Sequence, residues 1–170
     1  MITMYAALIP PAIGALEALS AVLDKAAAWA ETRKIEPSVL LASRLAPDMF
    51  ALTRQVQIAC DMAKSGAALL AQTEAPKMPD EETTIPELKT RIANTIAFLQ
   101  SLPKESIDGA ETRIITRKLG GKDASFEGLE YLTRFVLPNL YFHTTAAYTI
   151  LRHNGIDVGK RDFLGAMKTH

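Results

Sequence analysis

One cysteine and three histidines are all the thiol and imidazole that this chain holds in 170 residues. That scarcity removes most of the side chains from which metal and redox centres are assembled. Cys60 has no second cysteine to pair with, which fits a reducing compartment, and the cytoplasm is the simplest address. No paired CxxC, HExxH, GxGxxG or P-loop sequence occurs, and those absences exclude the simple catalytic and nucleotide-binding assignments. An excess of charge is missing too. Nineteen basic residues balance nineteen acidic ones, so no net field holds the protein on nucleic acid or an anionic membrane. No run reads as the roughly 18 uncharged apolar residues that a membrane span needs. The apolar N-terminus, MITMYAALIPPAIGALEALSAVL, lacks a cationic leader and continues straight into amphipathic sequence, so it reads as part of the fold.

What is present is helical periodicity. A chain of this length fits one domain, residues 1–170, and buries roughly two thirds of its extended surface on folding. Leu16, Leu19, Leu23, Ala26, Ala27 and Ala30 recur at three- and four-residue steps and define a first helix. Pro10 and Pro11 suit its first turn, or a kink if the helix begins nearer Thr3. After a short connection at Arg33–Glu36, Pro37 opens a second helix. Its stripe, Leu41, Leu45, Leu52, Val56, Ala59, Ala63 and Leu70, spans about eight turns. Pro76, Pro79 and the acidic run Asp80–Glu82 make a solvated loop of residues 73–84. Thr84 and Glu87 form a capping box for a third helix, with Leu88, Ile92, Ile96 and Leu99 as its stripe and Pro103 as its latest stop. The period then fails over 106–125, where IITRKLGGKDASF offers two short strands around Gly120-Gly121. A fourth helix runs from about Glu127 to Asn154, ended by Gly155. The expected fold class is all-α, a four-helix bundle with a long loop or small hairpin between helices three and four.

Polar residues on apolar faces mark the candidate site. Asn139 and His143 project within the same sector of the fourth helix as Val136, Leu140, Ala147 and Ile150. A buried imidazole needs a hydrogen-bond partner, since an unsatisfied polar group costs about 1–3 kcal/mol. Arg44, Asp48 and Gln55 lie along one edge of the second helix and are the expected partners. Asp61 projects from the opposite side. A hydrogen-bonded core histidine is the plainer reading of His143, and an amide capping its own helix the plainer reading of Asn139. Arg44 with Asp48 reads more plainly as a surface ion pair, and Cys60 as small apolar filler. Tyr131, Tyr141, Phe142 and Tyr148 lie off the central stripe and suit core packing or a dimer interface. The turn Gly159–Asp162 reads as solvated.

The blocks LASRLAPDM at 41–49, QVQIACDMAK at 55–64, LPNLYFHTTAAYTILRHNG at 137–155 and GKRDFLG at 159–165 carry a family resemblance over essentially the whole chain. The chain resembles a bacterial domain-of-unknown-function family placed with the DinB- and YfiT-like metalloenzyme superfamily. The resemblance implies a four-helix bundle with a long connection between helices two and three. It also implies, for the better-known relatives, a divalent metal held by a histidine from helix two and an HxxxH pair on the last helix, and thiol-dependent transferase activity in some. This sequence departs from that pattern, because Ala147 follows His143 by one turn and no histidine precedes His143. His153 lies about 80° around and about 15 Å along the helix from His143, and His170 is the third. No resident metal or other cofactor is therefore expected; Gln55 is a poor ligand, and a weak divalent ion is the most that His143 with Asp48 and Gln55 would load.

Two functions follow. The first is a non-catalytic bundle, expected to be a homodimer, that binds a small-molecule ligand or a partner, with no nucleic acid or membrane involved. The second is a DinB-like enzyme, a metal-assisted or thiol-dependent transferase, with His143 as general base and Asn139 or Gln55 orienting substrate; Arg44, Asp48, Gln55 and Asn139 are the candidate ligand-binding residues.

Overall fold

The computed structural model describes residues 2–166. The fold is mostly helical, with one small two-stranded sheet. Helix α1 runs over Met4–Arg33, α3 over Leu52–Leu70, α4 over Ile85–Ser101 and α7 over Leu137–His153. Helix α1 packs on both α4 and α7, and α3 closes the ring by packing on the same two. The first-helix stripe faces inward: Leu16, Leu19, Leu23, Ala26 and Ala30 are buried in one contiguous core with Val56, Ala63, Leu88, Ile92, Leu140 and Ile150.

Helix α1 begins early, with Thr3 as N-cap accepting from Ala6 N–H at 3.3 Å, so Pro10 and Pro11 lie inside it. Interior proline is unfavourable by about 3 kcal/mol. The first half of the helix is held instead by burial of Met4, Leu8, Ile9 and Ala12, and by the Asp108 carboxylate accepting from Tyr5 N–H at 2.8 Å. Running through the prolines joins apolar sequence on either side. As a result α1 does contain an 18-residue window of mean hydropathy 1.7, apolar and long enough to cross a membrane, which corrects the reading of the sequence. The same apolarity supplies the core wall, with 44% of that window buried.

The second helix is not continuous. It divides into α2 (Pro37–Ala42) and α3, separated by an irregular stretch at 43–51. Pro47 lies in the middle of that stretch, where it could neither donate to a helix nor let residue 46 stay helical. Leu45, expected in the stripe, is accordingly exposed.

After α4 a single turn, α5 (Lys104–Ile107), leads to β1 (Ile114–Leu119) and β2 (Lys122–Glu127), antiparallel with Ile114 opposite Glu127 and Leu119 opposite Lys122. Gly120 and Gly121 both have positive φ, 55° and 82°, as a two-residue hairpin turn requires. The last helix then starts as α6 (Gly128–Glu130), widens to π geometry over Tyr131–Val136, and continues as α7. Leu137 N–H donates to Leu132 C=O, five residues back, and Pro138 has no amide hydrogen to restore the four-residue pattern behind it. Gly128 is required because a Cβ there would run into the Ala110 carbonyl oxygen. A short α8 (Lys160–Leu164) folds back onto α1.

Candidate functional site

Helices α3 and α7 bring Gln55 and His143 together, 88 positions apart in sequence, with Gln55 Oε1 2.7 Å from His143 Nδ1. The amide of Gln55 is orientated by its other end, since Nε2 donates to the Phe50 carbonyl at 3.1 Å. Oε1 can only accept, so His143 carries its proton on Nδ1 and presents a lone pair at Nε2. The ring is 8% exposed and lies edge-on to Phe142. Burial, and then the positive charge of Arg54, hold its pKa below the ordinary imidazole value. The imidazole is therefore neutral and held in place.

The other expected partners lie elsewhere. Arg44 and Asp48 fall in the irregular stretch before α3 and are exposed. Arg44 Nη1 reaches the Met49 carbonyl at 3.4 Å, not the carboxylate four residues along. The break in the second helix is the reason: the arithmetic that stacked 44, 48 and 55 on one edge assumed an unbroken helix. Asn139 is half-buried and donates Nδ2 to the Phe135 carbonyl at 2.7 Å, one turn back on its own helix. His153 is exposed, and His170 lies outside the described residues.

The donor chemistry at His143 does not fit a transition-metal centre, because its neighbours are a carboxamide and, one turn on, Ala147. Among the described residues no group of three or more His, Cys, Asp or Glu side chains gathers where an ion could sit.

A second polar cluster was not legible in the sequence. Arg91 of α4, its side chain 1% exposed, pairs with Asp61 of α3 at 2.9 Å, Asp80 at 2.9 Å and Glu82 at 3.0 Å. Its Nη1 also donates to the Pro79 carbonyl at 3.0 Å. Lys64 pairs with Asp61 at 3.2 Å, Gln57 Nε2 donates to Glu82 at 2.8 Å, and Arg54 bridges to Asp80. Three cations thus match three carboxylates, and the segment 73–84 is fastened across α3 and α4. Burial opposes ionisation of Glu82, but hydrogen bonds from Arg91 and Gln57 hold its carboxyl below the ordinary value. Asp61 does project away from α7, as its position predicts. The one hint of Arg91 is its place beside Leu88 and Ile92 on the apolar stripe. Beneath this cluster Cys60 is fully buried, and burial pushes its thiol up to about 12.

A largely apolar cavity lies on a different face from His143. It measures about 300 Å³ and opens between α1, α7 and α8. Pro11, Gly14, Ala15 and Ala18 form its α1 wall; Tyr141, Thr144 and Tyr148 form its α7 wall; Phe163 and Leu164 roof it. Neither His143 nor Gln55 lines it. Phe163 packs edge-on against Tyr148, with ring centroids 5.7 Å apart. The roof is tied down by Asp162, which pairs with Lys25 at 2.7 Å and accepts from Gly159 N–H at 2.8 Å. Tyr131, by contrast, is wholly buried and stacks on Phe135, while Tyr141 and Phe142 are exposed.

These helices and this connectivity are those of the DinB-like proteins. The chain matches the crystal structure of a DinB family member protein from Shewanella denitrificans, at 1.83 Å resolution, with a TM-score of 0.89 and 44% sequence identity, covering 98% of this chain and 94% of that one. No curated protein matches it. The family described as a domain of unknown function, DUF1993, matches residues 4–164, and the chain belongs to it.

Proposed function

We propose that this protein is a non-catalytic binding protein, a single-domain four-helix bundle over residues 1–170 whose small-molecule ligand occupies the cavity between α1, α7 and α8. One observation carries this reading. The candidate base is committed to a hydrogen bond with Gln55 inside the packing, and neither residue lines the mostly apolar cavity between α1, α7 and α8. A fragment screen by thermal shift and amide chemical-shift mapping tests it. Hits that move the amides of 14–18 and 144–148 support the reading; the absence of any hit across a diverse library overturns it.

The bundle acts in the cytoplasm as a homodimer on this reading, with the exposed Leu45, Phe50, Tyr141 and Phe142 forming the shared face. Elution and scattering as a strict monomer at micromolar concentration would remove the dimer.

A second reading, a DinB-like transferase, is favoured by the lone pair at His143 Nε2, which has no hydrogen-bond partner among the described residues. On that reading Gln55 is a positioning residue. Arg44, Asp48 and Asn139 are too exposed or too committed to hold substrate beside it. Metal analysis of freshly purified protein tests whether a divalent ion accompanies the imidazole, and any activity found should vanish in His143→Gln.

A further inference from the structure

Resting on the proposed binding role, we infer that the cavity between α1, α7 and α8 takes a neutral, mostly apolar molecule with one hydroxyl or carbonyl group, and that Gly14 keeps the space for it.

Glycine inside a helix weakens it, because the unfolded chain gives up more freedom there and gains no side-chain contact in return. The other glycines inside the helices have packing reasons. A Cβ at Gly66 would meet Val136, and one at Gly128 would meet the Ala110 backbone. Gly14 has no such neighbour: a Cβ built there comes within 4 Å of nothing. The residue lies in the middle of α1 and on the cavity wall. What its missing side chain leaves open is the cavity itself.

The wall defines the chemistry of the occupant. None of the residues lining it is charged, so an ion entering would lose its water without gaining a counter-charge. The Thr144 hydroxyl is already committed to the carbonyls of Leu140 and Tyr141, at 3.0 and 3.2 Å. Two phenols remain. Tyr148 Oη reaches the Val158 carbonyl only at 3.4 Å, and Tyr141 is exposed, so water serves its hydroxyl until a ligand displaces it. One hydroxyl or carbonyl on the ligand would satisfy either phenol, and the rest of the ligand must be hydrocarbon. At about 300 Å³ the cavity stands at the small end of ligand sites, so the molecule is a short chain or single ring.

The experiment uses the full chain with 1-octanol and octanoate at pH 8 as probes, read by amide chemical shifts, in wild type, Gly14→Ala and Gly14→Leu. The expected result is saturable shifts from 1-octanol at residues 14–18 and 144–148, with octanoate at least about tenfold weaker, a difference that corresponds to one step of the affinity scale. Gly14→Ala should raise the melting temperature and weaken 1-octanol binding, and Gly14→Leu should abolish it. Equal binding of the carboxylate, or unchanged 1-octanol binding in both variants, overturns this inference and leaves the binding role standing. If Gly14→Leu fails to fold, Gly14→Ala decides alone; a lowered melting temperature there means the space is not open, and the inference falls. Silence from 1-octanol in a wild type that binds other fragments in this cavity refutes the ligand class, whereas silence from every compound takes the binding role down with it.

Discussion

Gly66 of α3 lies directly against Val136 of the π segment, so close that a Cβ on residue 66 would sit 2.6 Å from Val136 Cγ1. Val136 is 1% exposed and β-branched, so its side chain is stiff at χ1 and packed on all sides. Gly66→Ala gains helix propensity of up to about 1 kcal/mol but overpacks the crossing by about 1–3 kcal/mol. The net expectation is a loss of about 1–2 kcal/mol in urea unfolding. Adding Val136→Ala should make the Gly66→Ala step neutral or favourable, and a double-mutant cycle with no coupling would refute the close approach.

The buried imidazole makes stability depend on pH. His143 is held below the ordinary value of 6.5, by burial first and the Arg54 charge second. As the pH falls through 6.5 the unfolded chain takes up a proton that the native ring resists, so stability declines until the native ring's own lower value is reached. Above that window the group contributes no slope. His143→Gln should flatten the change in unfolding free energy between pH 8 and pH 5 relative to wild type. Parallel curves for the two proteins would place the ring in water.

Arg91 fastens the acidic segment to the helices. Arg91→Met leaves Asp61, Asp80 and Glu82 without their shared cation; the carboxylates are partly exposed and Asp61 and Asp80 keep Lys64 and Arg54, so the loss falls below the ~3–5 kcal/mol of a fully buried pair. Limited proteolysis should then cut within residues 73–84 at concentrations that spare the wild type. An intact segment in the variant would assign the fastening to other contacts.

Cys60 should be inert in the native state. Its thiol is raised to about 12 by burial, which outweighs the hydrogen bond from Thr95 and the Arg91 charge. Only the thiolate reacts, so a disulfide reagent at pH 8 should label Cys60 at the rate of global opening and rapidly in denaturant. Rapid labelling under native conditions would expose a path to the thiol that the packing does not provide.

The local signals in the sequence were the readable ones. The Thr84–Glu87 capping box and the Gly120-Gly121 hairpin rest on residues within a few positions of each other, and both are formed. The Gln55–His143 pair was also legible, because both residues lie on continuous helix whose phase can be counted. Arg44 and Asp48 were misplaced because Pro47 interrupts that phase between α2 and α3. The Arg91 cluster depends on where 73–84 lies after folding, which periodicity does not encode. The cavity is harder still to read, since its signature is an absence: a glycine in α1 opposite residues 127 and more positions away, from Tyr141 onward.

The widened turn at Tyr131–Val136 sets the rotational phase of everything after it. Upstream, Gly128 is fixed against Ala110; downstream, His143 meets Gln55 and Tyr148 faces the opposite side. Forcing the same six residues into ordinary α geometry, with the Leu137 amide bonded four residues back instead of five, would turn the following helix by about 100° and push it on by about 1.5 Å. The imidazole would then leave its amide and the phenols their hollow in a single step, so the pitch of one turn governs two faces at once.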